Sequence, residues 1–334
     1  MTIRCFALFC MISLVARSQE PPVLTKPVPF NTQEADAIVS RMQIFPKDNA
    51  WNADITRWPI AHNSKDLINS IGPNLKLRSN HDMAYILVPP NQKLVEVKIT
   101  GYPDESDKGP YPVPDDLPIE GWPSEYRTRK QGRLLTLLDV QRDVINENGD
   151  RHAIVVDPTR GKLYEFYQMK RTDRGWEAAQ ASIFDLNSNT LRPAGWTSAD
   201  AAGLPIFPAV VRYDEIQQGE IKHAIRFTVP KTRRACVHPA THFASKLDDP
   251  KLPRMGERFR LRGDFNLTGF SKETQVVLRA LQKHGMILAD NGIAWGMSFA
   301  PDERMKALHE ELRLVTGKDF QVVIDPLNRG SGTK

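Results

Sequence analysis

Cysteine is scarce in this chain, with three among 334 residues, and two of them, Cys5 and Cys10, fall in an N-terminal segment that reads as removable. Once they leave, Cys236 stands alone and no internal disulfide can form. Stability must then come from a hydrophobic core, and about three hundred residues are enough for one large domain or two small ones. His, Cys and acidic residues form no dense zinc-type cluster, so no metal is expected. Charge of one sign is also lacking: 45 basic residues face 40 acidic ones, and the small excess is scattered apart from Lys231-Thr232-Arg233-Arg234. No alternation of aromatic and basic residues suits base stacking, so nucleic acid is not an expected partner. GxSxG, P-loop and dinucleotide fingerprints are all missing. Esterase and nucleotide chemistry therefore have no support, and no cofactor is expected.

Long apolar runs are absent beyond the N-terminus. There, Arg4 precedes the run CFALFCMISLVA, and Ala16-Arg17-Ser18 offers a small-x-small cleavage site. This layout predicts a signal peptide over 1–18, hence a secreted or periplasmic protein cleaved near Ser18, with no transmembrane segment. Residues 19–44 read as a Pro-rich tether and a short helix capped by Thr32. Residues 45–325 read as a single β-rich globular domain, and 326–334 as a flexible tail.

Strand signals dominate that domain. HAIVVD, KLYEFYQM and WEAAQASIFDL, separated by Gly-containing turns, predict a three-stranded meander. MILAD and IAWGMSF flank Asn291-Gly292, which predicts a type I′ hairpin. A helix is expected from Ser271 to His284, with Val276, Val277, Ala280 and Leu281 inward and Gly285 as its stop. A last helix is expected over 302–315. Residues 101–122 are too rich in proline for helix or central strand. They read as a surface loop, or as a wall over a cleft that presents Tyr102, Tyr111 and Trp122. The expected class is mainly β: an antiparallel β-sandwich or jelly roll with a few peripheral helices.

Chemistry-bearing residues concentrate in VRYDEIQQGEIKHAIRF, residues 211–227. Asp214 can cap a helical turn ended by Gly219, with Glu215 in the first turn. Alternation in the following strand puts His223 with Ile221, Ile225 and Phe227 on the apolar face, as a core histidine or a cleft base. Glu165 shares a strand face with Leu163 and Tyr167. Apolar neighbours should raise its pKa, as a general acid requires, and Tyr167 can stack on a sugar. Asp290 ends the strand before Asn291-Gly292, as turn trim or as a second carboxylate. His238 and His242 have the spacing of a metal pair on a helix, but Pro239 argues against helix there.

The blocks TSADAAGLP (197–205), RYDE (212–215), HAIRF (223–227) and ADNG (289–292) resemble those of a group of secreted bacterial proteins with no assigned activity. The resemblance spans roughly 45–325 and implies export and one continuous domain. Thr241 stands where the group's pattern has Arg, and Met305 where it has Trp. Export, a β-sandwich and acids beside aromatics together point to extracellular polysaccharide. A glycoside hydrolase would use Glu165 as acid with Glu215 or Asp290 as its partner. A polysaccharide lyase would use His223 or Tyr213 as base and Arg212 or Arg226 to neutralise a uronate. A glycan-binding or envelope module would use the same face, with Tyr167, Arg212, Tyr213, Arg226 and His242 as ligand contacts and no paired acids.

Overall fold

The computed structural model describes residues 24–130, 132–146 and 149–327. The expected signal peptide, part of the tether and most of the C-terminal tail lie outside the described residues. Among the described residues the chain is mainly β, with fourteen strands and six α-helices. None of those helices is long and apolar enough to cross a membrane.

One sheet orders β1 (Val28–Pro29), β3 (Tyr85–Leu87), β5 (Ala153–Asp157), β6 (Lys162–Tyr167) and β9 (Gln180–Asp185). A second orders β14 (Phe320–Val323), β11 (Arg258–Leu261), β12 (Met286–Asn291), β10 (Ile225–Val229), β13 (Gly296–Phe299) and β2 (Arg78–His81). A small third sheet orders β4 (Val97–Ile99), β8 (Gly175–Ala178) and β7 (Lys170–Thr172). The pairs β3/β5, β4/β8, β10/β12 and β13/β2 are parallel, so the sheets are mixed rather than antiparallel throughout.

Two local expectations change for a non-local reason. β12 and β13 do not pair with each other, because β10 lies between them, parallel to one and antiparallel to the other. Neither Asn291 nor Gly292 has a positive φ. Gly292 is needed instead for close approach: a Cβ there would lie 2.9 Å from Thr228 Oγ1 on β10. The expected meander survives as β5-β6-β9, but its third run is split. Its first half, β8, leaves to pair with β4 and β7.

Strand alternation builds two cores. Tyr85, Leu87, Ile154, Val156, Leu163 and Phe184 face the main core, which also takes the buried side chains of the six-stranded sheet. Ile86, Val88, Ala153, Val155 and Phe166 face the other way. They are covered by Tyr111, Val113, Leu117 and Ile119. The Pro-rich 101–122 segment is therefore the wall of a second core and not a plain surface loop. Each of its fully buried aliphatic side chains contributes roughly 1.5–3 kcal/mol.

Helix signals hold where they are local. Thr32 Oγ1 accepts from the Ala35 N–H at the start of α1 (Gln33–Val39), and Gly72 closes α2 (Ser64–Ile71). After the short α3 (Leu137–Gln141) comes α4 (Tyr213–Gln218), ended by Gly219 at φ 80°. α5 (Lys272–Lys283) starts on Ser271, whose Oγ accepts from the Thr274 N–H at 3.2 Å, and buries Val276, Val277, Ala280 and Leu281. The helix expected over 302–315 is broken: Asp302 caps a single turn at Glu303–Met305, and α6 covers Leu308–Leu312.

Candidate functional site

The inner face of β6 carries Glu165, and the β5/β6 register sets His152 against Tyr167, with ring centroids 5.9 Å apart. Across the layer, β10 presents Arg226. Its Nε and Nη2 each donate to one oxygen of Asp200 at 2.7 Å, and its Nη1 donates to Ser298 Oγ at 2.8 Å. Asp290 Oδ2 lies 3.6 Å from Nη2 and accepts from the Ala201 N–H at 3.3 Å. The fork geometry makes Arg226–Asp200 the strongest contact in the layer. His152 Nδ1 lies 2.9 Å from Glu120 Oε2, and its Nε2 lies 2.9 Å from the Ala199 carbonyl. Both ring nitrogens thus face acceptors, which suits an imidazolium.

Asp82, just after β2, completes the group. Its Oδ1 is buried and has no hydrogen-bond partner. Five carboxyls (Asp82, Glu120, Glu165, Asp200 and Asp290) then share this layer with two cations, Arg226 and His152. That imbalance is relieved by protonation. Burial, then the charge of Glu120, pushes Asp82 up to about 8. Burial and the charge of Asp200 raise Asp290 well above the usual carboxylate range. Burial carries Glu165 up to about 7 against the pull of two backbone N–H groups. Burial acts the same way on Glu120, but the charge and hydrogen bonds of His152 outweigh it and hold the carboxyl down at about 2. Burial would lower His152, but Glu120 raises it to about 10.

These shifts set a pH dependence. Asp82 and Glu165 have folded pKa values raised above their unfolded ones. Their contribution is complete below the unfolded value near 4 and is lost as pH rises through about 7 to 8. His152 adds the same sign, since the unfolded imidazole releases its proton near 6.5 and the folded one near 10. Glu120 is ionised in both states above pH 5 and adds nothing there. The urea midpoint is therefore expected to fall from pH 5 to pH 8, and Asp82→Asn to flatten that fall. A midpoint that rises across the window contradicts these assignments.

The sequence-predicted residues divide between two places. Glu165, Tyr167, Arg226 and Asp290 belong to the layer just described. Glu215, His223 and Arg212 gather elsewhere, beside a cavity of about 580 Å³ bordered also by Asp214 and His284, with Tyr213 next to them in sequence but off its wall. There Glu215 Oε1 lies 2.8 Å from Arg212 Nη2 and 2.7 Å from His223 Nε2. Its Oε2 accepts from the Arg212 N–H at 3.1 Å, so Glu215, and not Asp214, satisfies the start of α4. His223 precedes β10 rather than lying in it, so strand alternation does not govern it. Its Nδ1 donates to the Ala224 carbonyl at 2.8 Å, and the side chain is buried. Tyr213 lies under the Arg304 guanidinium at 3.7 Å. His242 sits next to the first group: its Nδ1 donates to the Ala201 carbonyl at 2.7 Å.

Glu165 has the raised pKa expected of it but not the access. It is 0% exposed, and its oxygens accept from the N–H groups of Ile206 and Phe207 at 2.8 to 2.9 Å. Glu120 and Asp290 reach solvent, with side chains 19% and 17% exposed, and Asp82 is half-buried. These three form the rim. Tyr167 is close enough to Asp290 and Tyr102 to feel their charges, so two aromatic rings border it. Asp82, Glu120 and Asp200 escape the sequence reading because they lie outside any periodic strand, and His152 because opening the HAIVVD run is no signal of chemistry. Asp200 had one signal, as a lone acid inside the small, apolar TSADAAGLP block. Comparison with protein-family models, with curated proteins and with solved structures finds no match.

Proposed function

We propose that the protein is a secreted hydrolase of extracellular polysaccharide, with its proton chemistry at the Asp82–Glu120–Asp290 rim. One observation carries this: neighbouring carboxyls whose surroundings drive their protonation apart, Asp82 neutral and Glu120 ionised at pH 7. Such a split is how one site holds an acid and a base together. Asp82 donates its proton to the departing glycosidic oxygen as the C1–O bond breaks. Glu120, kept ionised by His152, takes a proton from the water that adds at C1 or stabilises the positive charge developing there. Asp290 is a further carboxyl, raised by burial and the charge of Asp200, that can hydrogen-bond the sugar, and Tyr167 and Tyr102 offer rings for stacking. We read the fold behind the rim as a sandwich in outline, a reading supported by the two larger sheets sharing the main core.

A lyase at the second cluster has less support. Both ring nitrogens of His223 are already engaged, one with the Ala224 carbonyl and one with Glu215, so neither is free to face a substrate. The assay is incubation of the full secreted chain with a glycan panel, following new reducing ends and the absorbance of unsaturated products. New reducing ends without that absorbance are expected. Unsaturated products would identify a lyase, and retention on a glycan column without turnover would identify a binding module; either result rejects the hydrolase.

A further inference from the structure

β11 carries a buried cation with no acid beside it. Arg258 is 4% exposed. Its Nη1 donates to the His284 carbonyl at 2.7 Å and its Nη2 to the Ala50 carbonyl at 2.5 Å. Among the described residues no carboxylate lies within salt-bridge distance of it, and Asp325 is the one acid whose charge reaches it. Most other buried arginines are paired with acids, although Arg260 on the same strand also rests on carbonyls, those of Ile55, Thr56 and Trp58. Arg212 pairs with Asp214 and Glu215, Arg226 with Asp200 and Asp290, and Arg192 with Asp107. Two carbonyls occupy two donors of a five-donor group and leave its charge uncompensated. Burial accordingly pulls Arg258 down to about 9.

The guanidinium borders a cavity of about 280 Å³, with Trp58, Ala53, Val323 and Arg254 among its walls. The Trp58 ring lies 5.6 Å from the Arg258 guanidinium carbon. Three acids stand on the wall, each already engaged: Asp48 accepts from the Asn189 amide at 2.9 Å, Glu257 accepts from Arg254 Nε at 2.6 Å, and Asp325 accepts from the Leu327 N–H at 2.9 Å. The volume is near the lower end for small-molecule sites, and the guanidinium fork matches a carboxylate.

We propose that this cavity binds a small organic anion, about one sugar ring in size, whose carboxylate takes the open N–H groups of Arg258. The cavity shares no residue with the Asp82–Glu120–Asp290 rim, so the two assignments stand or fall separately.

The test is calorimetric titration of the full secreted chain at fixed ionic strength. The probes are glucuronate and benzoate, each paired with a neutral counterpart, glucose and benzyl alcohol. At least one acid is expected to bind tenfold or more tightly than its counterpart. Arg258→Gln is expected to remove that preference. Ala53→Phe keeps the guanidinium but fills the cavity, and it is expected to weaken the same acid at least tenfold. The second variant protects the test should Arg258→Gln fold poorly. Acids that bind no better than their neutral counterparts, or a preference that survives Ala53→Phe, would overturn the assignment.

Discussion

Replacing Arg226 with methionine is expected to destabilise the fold by about 3–5 kcal/mol, the usual consequence of stranding one partner of a buried ion pair. Asp200 is 0% exposed, and both of its oxygens rest on that guanidinium at 2.7 Å. Without it, Asp200 must protonate or stay charged in a dry layer that already holds four other carboxyls. Ser298 Oγ loses its donor as well. For a chain of this size the midpoint of thermal unfolding should fall by roughly ten degrees. The double variant Arg226→Met/Asp200→Asn should recover much of the loss, since it removes both charges. Urea unfolding of the two single variants and the double variant measures the coupling. Additive losses would show that the pair does not act as a unit.

Asp82→Asn is expected to lower polysaccharide turnover by roughly 10²–10⁴, the range lost when a general acid is removed. Stability should hold or rise at pH 7, because the change removes a carboxyl that burial and Glu120 already force to stay protonated. That opposition separates a catalytic role from a structural one, since a structural acid would lose stability and activity together. Glu120→Gln should reduce turnover as strongly but for a mixed reason. It removes the ionised carboxylate and also the partner that keeps His152 protonated. The variant should therefore also be less stable at pH 7, which makes Asp82→Asn the cleaner probe. Turnover measured beside urea unfolding checks both changes. An Asp82→Asn protein with full activity would remove the residue from the mechanism.

How much of this was legible in the sequence depends on the range of each interaction. Ser271 and Gly285 bracket α5 correctly because caps are set within one turn. The high pKa of Glu165 was legible from its strand face, since apolar neighbours two residues away on either side already imply burial. Its lack of access was not, because the N–H groups that seal it belong to Ile206 and Phe207, some forty residues on. Asn291-Gly292 misled for the same reason. A hairpin signal is local, whereas the insertion of β10 between β12 and β13 depends on pairing over sixty residues. The carboxyl layer is the extreme case. Asp82, Glu120, Asp200 and Asp290 come from four separate segments, and only the sheet order brings them within reach of Arg226.

The most direct test of the acid–base split needs no substrate: a carbon-13 NMR titration of the Asp82 and Glu120 carboxyls in the native protein. Asp82 is expected to titrate near 8 and Glu120 near 2, so that at pH 6 one is neutral and the other ionised. Two carboxyls titrating together near 4, as freely hydrated side chains do, would contradict it.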